Sequence, residues 1–368
     1  MTQSENNPLA IIASDPPQLA ADSAIELLRK EYGITVVSAK SLVSERDQNF
    51  RVRTSDGRNL VLKIANASEK SLVTDFQIKA LLHIESWQRE HGCRFNAPRI
   101  VRTLDGHSGI TVSAGGHSHF ARLVTFVEGI PVGDDQPAPA YAGNAGVYLA
   151  EIGRALRDFH HEGSDQSLLW DMKSALDLRQ LQDYIADREL RSRVGECLDD
   201  FENIALPRFD DLRWQVIHND LNPDNILIDA QQPSRVTGVI DFGDMLRSPL
   251  IVDVAVAVSY LRSPDDNPLS SVAEFIAGYH SVVPLKRNET DVLYDLIRTR
   301  LAATISIRHW RIGERSPDDP YLQKILQENS AEEFLAALNR LTRETARHAF
   351  REACSRSIAR RGIGAGAG

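Results

Sequence analysis

The chain is poor in cysteine: three residues in 368, at Cys93, Cys197 and Cys354, far apart in sequence. That spacing excludes a disulfide scaffold and a clustered thiolate metal site. No stretch approaches the ~20 consecutive apolar residues of a membrane span. The opening Met1-Thr-Gln-Ser-Glu-Asn-Asn has no basic stretch leading into an apolar core, so no signal peptide is expected. Basic charge is also in deficit. Lys plus Arg is 42 against 51 for Asp plus Glu, a net charge of −9, which gives no general attraction for nucleic acid. The expectation is a reduced, cytoplasmic protein with neither a nucleic-acid nor a membrane partner. What is present is an ordinary globular balance, 42% hydrophobic and 25% charged, in a chain too long for one core.

The order of patterns predicts α+β architecture with two lobes. Helical periodicity over 20–32 is followed by strand-like runs at 34–37, 49–53 and 59–65, with Ser55-Asp-Gly-Arg as a hairpin turn. A second helical stripe covers 71–90, and strands are expected at 109–112 and 120–127. Residues 128–134 open a Gly-, Pro- and Asp-rich stretch that reads as a hinge after a small lobe of 1–127. Long helical patterns then dominate 135–358, at about 143–162, 173–188, 190–204, 269–282, 288–313 and 331–358. One strand-and-loop block at 214–243 interrupts them. The Gly/Ala-rich 359–368 reads as a flexible tail.

The chemistry is concentrated in that block. Val216-Ile-His218-Asn-Asp220-Leu-Asn-Pro-Asp-Asn225 places a polar turn between apolar runs, and Val239-Ile-Asp241-Phe-Gly-Asp244 follows. Taken alone, Asn-Pro-Asp-Asn is turn chemistry. The full spacing, His-x-Asp-x₄-Asn and then Asp-Phe-Gly, is the pattern that phosphoryl transfer needs. Asp220 is the candidate base that orients and deprotonates the attacking hydroxyl. Asn225 and Asp241 are candidate ligands for Mg²⁺ on a nucleoside triphosphate, ATP or GTP. Lys63, inside the apolar strand Val61-Leu-Lys-Ile-Ala, is either a solvent-facing lysine or the cation on the phosphates; its place upstream of Asp220 favours the second. The loop Ser44-Glu-Arg-Asp-Gln-Asn-Phe has no glycine. It is therefore not a Gly-rich phosphate loop, and Ser44 and Gln48 are candidate phosphate contacts beside a plain polar turn.

These motifs and the lobe order resemble the aminoglycoside-phosphotransferase-like small-molecule kinases over roughly 20–345. Glu45-Arg-Asp-Gln-Asn-Phe, Leu169-Trp-Asp-Met, Val236-Thr-Gly-Val-Ile-Asp-Phe-Gly-Asp-Met and Pro317-Asp-Asp-Pro-Tyr-Leu are similar to the hydroxylysine-kinase branch, including its aminotransferase-fused members. The resemblance implies a protein-kinase-like bilobal fold. It implies nucleotide-base contacts from the strand Val124-Thr125-Phe-Val127, and a helix partner for Lys63. By position that partner is Gln77, where the wider family has Glu, with Asp75 two residues away. Asp253 is expected to brace the catalytic loop, and Asp244 to be a second metal-site carboxylate or a helix cap. Tyr260, Trp170-Asp171 and Trp310 are candidate lining of an acceptor pocket. The acceptor expected is a small amine-bearing alcohol, hydroxylysine above all. An antibiotic kinase and a non-catalytic nucleotide-binding module are the alternatives. A protein kinase fits less well, because the segment after Asp241 runs almost directly into the apolar stretch 250–260.

Overall fold

The computed structural model describes residues 16–44, 46–92, 95–133, 138–314 and 330–364, with side chains for all of these but 139 and 357–364. The chain forms two compact units. The first takes the residues up to Glu128 together with Phe159–Leu169; the second takes Gly129–Asp158 and everything from Trp170.

In the first unit, helix α1 (Ala21–Tyr32) ends at Gly33, whose left-handed φ of +66° lets its N–H return to the Leu28 carbonyl. Strands β1 (Val36–Leu42), β2 (Gln48–Thr54), β3 (Asn59–Ile64), β4 (Ile100–Val101), β5 (Ile110–Ala114) and β6 (His117–Thr125) build one antiparallel sheet, ordered β1-β2-β3-β6-β4 with β5 also on β6. Alternation decides its faces. Phe50, Val52, Leu60, Leu62, Ile64, Ala121 and Leu123 point one way and bury against Ala24, Leu28 and Tyr32 of α1. The residues between them form the opposite face, where Asn49, Lys63 and Arg122 stand opposite one another across β2, β3 and β6. Strand β1 runs five residues beyond the apolar stretch at 34–37. Its polar half is held as an exposed edge by pairing with β2, from Val36 opposite Thr54 to Leu42 opposite Asn49.

Helix α2 (Ser71–His91) belongs to the same unit and receives the returning segment. Phe76 lies against Phe159, ring centroids 6.0 Å apart, and against His161 at 5.7 Å. The His161 ring nitrogen Nε2 is 3.0 Å from Asp75 Oδ2.

The second unit starts with the short strand β7 (Ile130–Pro131), inside the stretch expected to be a hinge, of which residue 134 lies outside the described residues. Helix α3 (Ala138–Leu156) follows; after it come 3₁₀ turns over Met172–Tyr184 where a regular helix was expected, started by the Asp171 carboxylate accepting from Lys173 N–H. Helix α4 (Arg188–Asp200) runs on into a single π-type turn, Phe201–Ala205. Strands β8 (Trp214–Ile217) and β11 (Leu246–Pro249) pair antiparallel, and β9 (Ile226–Ile228) lies between β10 (Val236–Val239) and β7. Helices α5 (Leu250–Val258), α6 (Ser270–Val282), α7 (Arg287–Glu314), α8 (Ser330–Leu338) and α9 (Arg343–Gly364) complete the unit.

The single helix expected over 331–358 is two. The Tyr294 hydroxyl from α7 reaches the carbonyls of Leu338 and Leu341, at 3.0 and 3.2 Å, which takes up acceptors freed at the break. Thr342 then restarts the chain as a helix by accepting from Thr345 N–H. Helices α3 and α6 approach closely through glycines: a Cβ at Gly278 would lie 1.9 Å from the Gly143 carbonyl oxygen.

Candidate active site

Two short strands end in polar residues with left-handed backbones: Asn219 has φ +64° and Asp241 φ +61°. Asn and Asp are the non-glycine residues that best tolerate this region. The turn at Asn219 is fixed from below by Asp253, alone among apolar residues on the fully buried α5. One Asp253 oxygen accepts from His218 N–H at 3.1 Å and the other from Asn219 N–H at 2.8 Å. Burial pushes the Asp253 carboxyl up to about 7, against the pull of those two N–H bonds. The Asn219 amide donates to the Asp244 carbonyl at 3.2 Å, joining the two loops.

His218 is wholly buried and braces the loop from both ring nitrogens. Nδ1 accepts from Asp220 N–H at 3.3 Å, so Nε2 carries the proton and donates to the Ile240 carbonyl at 3.1 Å. Its ring meets Phe242 edge-on, centroids 4.8 Å apart. Burial pushes its pKa down to about 4, which keeps the ring neutral and Nδ1 an acceptor. His218 is thus a brace in this geometry and has its nitrogens engaged with backbone.

Asp220 is half-buried at the end of this scaffold, and two amides hold its carboxylate. Asn222 Nδ2 donates to Oδ1 at 3.0 Å. Asn225 Nδ2 donates to Oδ2 and to the Asp220 carbonyl, both at 2.8 Å. Burial raises the Asp220 carboxyl well above the usual carboxylate range; the Asp244 charge adds to that and Arg300 opposes it. Because the Asn225 nitrogen is spent on Asp220, its Oδ1 is the atom left to meet a cation. The Asn225 amide, exposed Asp241 and half-buried Asp244 make a set of hard oxygens suited to Mg²⁺. Among the described residues, no three His, Cys, Asp or Glu side chains are grouped to hold a metal ion by themselves.

The residues read as acceptor lining belong to the same unit. Tyr260 is half-buried, with its hydroxyl accepting from Arg300 Nη2 at 3.1 Å. Asp171 is buried and pairs with Lys173 at 3.3 Å while capping the 3₁₀ turns. Trp310 is half-buried near the end of α7.

In the first unit, Lys63 occupies β3 on the face away from the α1 core. Gln77 is buried on α2, and its carbonyl accepts from Arg122 Nη2 at 2.6 Å. Asp75, the neighbouring carboxylate, is engaged by Lys79 at 2.7 Å and by His161. The Gln48 amide forms a two-point bond with the Leu19 backbone, accepting from its N–H at 2.7 Å and donating to its carbonyl at 2.9 Å. Gln48 thus ties down the segment before α1. Ser44 lies in the connection after β1; Glu45 and Pro317-Asp-Asp-Pro-Tyr-Leu lie outside the described residues. Thr125 Oγ1 accepts from Arg99 N–H at 3.0 Å, and Val127 is buried.

Sequence reasoning missed Arg122 and Arg300. Neither belongs to a motif, and an arginine in a strand or helix pattern reads as a solvated side chain until its burial is seen. Asn222, quoted inside the motif, had no role assigned although it holds one of the two Asp220 oxygens.

Among the described residues no helix is long and apolar enough to cross a membrane. The chain is similar to hydroxylysine kinase from Xenopus laevis, 26% identical over 337 residues that cover 86% of this chain and 90% of the relative. It is 27% identical to hydroxylysine kinase from Bos taurus, covering 83% of this chain and 86% of that one. Among solved structures it resembles an amicoumacin kinase in complex with AMP-PNP, Ca²⁺ and Ami, with TM-score 0.63 at 14% identity over 88% of this chain and 98% of that one. A microcompartment-associated aminopropanol kinase gives TM-score 0.60 at 16% identity, over 87% and 97% of the two chains. These likenesses establish the α+β kinase-like fold. The sequence profile of the phosphotransferase enzyme family matches residues 39–288, and the chain accordingly belongs to that family, as a small-molecule kinase.

Proposed function

We propose that the protein transfers a phosphoryl group from a Mg²⁺-bound nucleoside triphosphate to a hydroxyl of a small amine-bearing metabolite, with a hydroxylysine-like amino alcohol as the leading acceptor. The observation that carries this is the Asp220 carboxylate, aimed by Asn222 and Asn225 and fixed through His218 and Asp253. Each Asp220 oxygen accepts one amide N–H and keeps a lone pair for the acceptor hydroxyl. Asp220 orients that hydroxyl in line with the phosphoryl group and takes its proton as the bond forms. Asn225 and Asp241, with Asp244 as a further carboxylate, would hold the Mg²⁺, whose contribution would be to neutralise charge on the phosphates. Lys63 supplies a further cation to the phosphates, and the backbone at Thr125–Val127 contacts the base. Positioning and charge neutralisation then supply most of the catalysis.

The hydroxylysine kinases that the chain resembles along most of its length support the acceptor class. The test is nucleotide consumption, with ATP and with GTP, against hydroxylysine, simpler amino alcohols and aminoglycosides. Turnover restricted to aminoglycosides would replace this acceptor by an antibiotic. Nucleotide binding without turnover on any acceptor would point to a non-catalytic module.

A further inference from the structure

Helix α7 carries an arginine that no metal or phosphate role uses. Arg300 is only 1% exposed in mid-helix. Its guanidinium lies over the Trp170 indole, 4.8 Å from the ring centroid, with the Tyr260 ring at 5.9 Å. Nη2 donates to the Tyr260 hydroxyl at 3.1 Å, whereas Nη1 reaches the Trp170 carbonyl only at 3.5 Å. Nε is buried and meets no acceptor among the described residues. Three turns further along α7, Arg311 is buried over the same indole at 5.1 Å.

A buried guanidinium is strongly destabilising unless an anion compensates it. Among the described residues no carboxylate lies within ion-pair distance of Arg300, whose polar contacts there are the Tyr260 hydroxyl and the Trp170 carbonyl. The aromatic rings fix the plane of the guanidinium and leave its donor fork preorganised. Arg300 belongs to the same unit as Asp220, and its charge draws that carboxyl down against the upward push of burial. The surrounding acids Asp220, Asp241 and Asp244 favour an ammonium but repel a carboxylate. A fixed cation is what an acceptor carrying both charges would need.

We propose that Arg300, framed by Trp170 and Tyr260, receives a carboxylate of the acceptor, so that the substrate is a hydroxy amino acid and not a simple amino alcohol. This rests on the amine-bearing acceptor proposed above and assigns the group that would read its second charge. A carboxylate accepts two parallel N–H bonds from a guanidinium, a geometry that a carboxamide cannot reproduce with the same charge.

The experiment compares kcat/KM of the full-length protein on hydroxylysine and on hydroxylysinamide, in which the carboxylate alone is neutralised. The wild type should favour the acid about 100-fold, mainly through KM, as expected for a charge-assisted pair. In Arg300→Gln that ratio should collapse to about threefold or less, and Arg300→Lys should retain an intermediate preference. Equal use of acid and amide by the wild type would overturn the proposal, whether or not any variant folds. So would a folded Arg300→Gln protein, with unchanged thermal unfolding, that kept the wild-type ratio. Turnover on both compounds without preference removes only the carboxylate assignment. No turnover on any amine-bearing alcohol removes the underlying acceptor class, and the Arg300 assignment with it.

Discussion

Replacing Gly278 by alanine should destabilise the protein although alanine is the better helix former. Gly278 lies inside α6, where Gly→Ala ordinarily gains about 1 kcal/mol. Here the added methyl would sit 1.9 Å from the Gly143 carbonyl oxygen and 2.8 Å from its carbonyl carbon. The obstruction is the backbone of α3, so no side-chain rotation relieves it and the two helices must separate by more than an ångström. Gly146 makes the same kind of contact one turn along α3, its Cβ position 2.2 Å from the Phe275 carbonyl oxygen, so the seam has no slack nearby. Overpacking of this sort costs about 1–3 kcal/mol or more. With the strain at the upper end and the propensity gain subtracted, a net loss of about 2 kcal/mol is expected. Gly195→Ala is the internal control. Gly195 is in helix α4, and its Cβ would meet only Gln182 Nε2 at 3.6 Å, an ordinary contact. That variant should gain about 0.5–1 kcal/mol. Urea unfolding of both proteins against wild type, followed by circular dichroism, reads the two signs directly. If Gly278→Ala were as stable as wild type, or were stabilised like Gly195→Ala, the close α3–α6 approach would not exist in solution.

Other outcomes follow from the site and its surroundings. Asp220→Asn should keep nucleotide binding while turnover falls about 10²–10⁴-fold, measured by calorimetry and a coupled assay; a loss under about tenfold would exclude Asp220 as the base. Mg²⁺ titrated calorimetrically into nucleotide-free protein should bind weakly, and much more tightly with nucleotide present, if Asn225 and Asp241 hold it as proposed, because they would supply only part of its shell. His218, held at about 4 against 6.5 unfolded, favours the folded state fully above pH ~6.5, and that stability is lost as pH falls toward 4. The stability difference between wild type and His218→Gln should therefore shift by about 3 kcal/mol across that window in pH-dependent urea unfolding. Asp253, raised to about 7, acts with the opposite sign between about pH 4 and 7, so wild type alone should show a flatter profile than either group predicts. Cys197, fully buried with its thiol pushed up to about 12, should resist alkylation at pH 8 until denaturant is added, as peptide mapping would show.

The parts of this protein that could be read from sequence are those whose information is local. The loop of His218, Asp220 and Asn225 stands out because its residues lie at short, fixed separations along one block, and the structure joins them by hydrogen bonds. Asp253 was legible as a brace because a single carboxylate in an otherwise apolar helix must find hydrogen-bond donors. Polar residues whose partners come from elsewhere in the chain were not legible. Gln48 closes on Leu19, 29 residues earlier, which the turn chemistry around it does not record. The Gln77 carbonyl meets Arg122, 45 residues later, a pairing that no local pattern records. The break at 339–342 depends on the Tyr294 hydroxyl, which no periodicity in 331–358 records. Arg300 is the extreme case, since its surroundings are assembled from residues 130 and 40 positions away.

The return of Phe159–Leu169 to the first unit has a consequence for biosynthesis. The sheet of that unit is complete in sequence by Thr125, but the face of α2 around Phe76 waits for Phe159 and His161. A ribosome adding about 5–20 residues per second needs roughly a few more seconds to deliver them. During that interval the nascent chain exposes an apolar helix face, a natural place for a chaperone to bind. For the same reason a gene truncated after Glu128 would encode the whole sheet and still yield a sticky product.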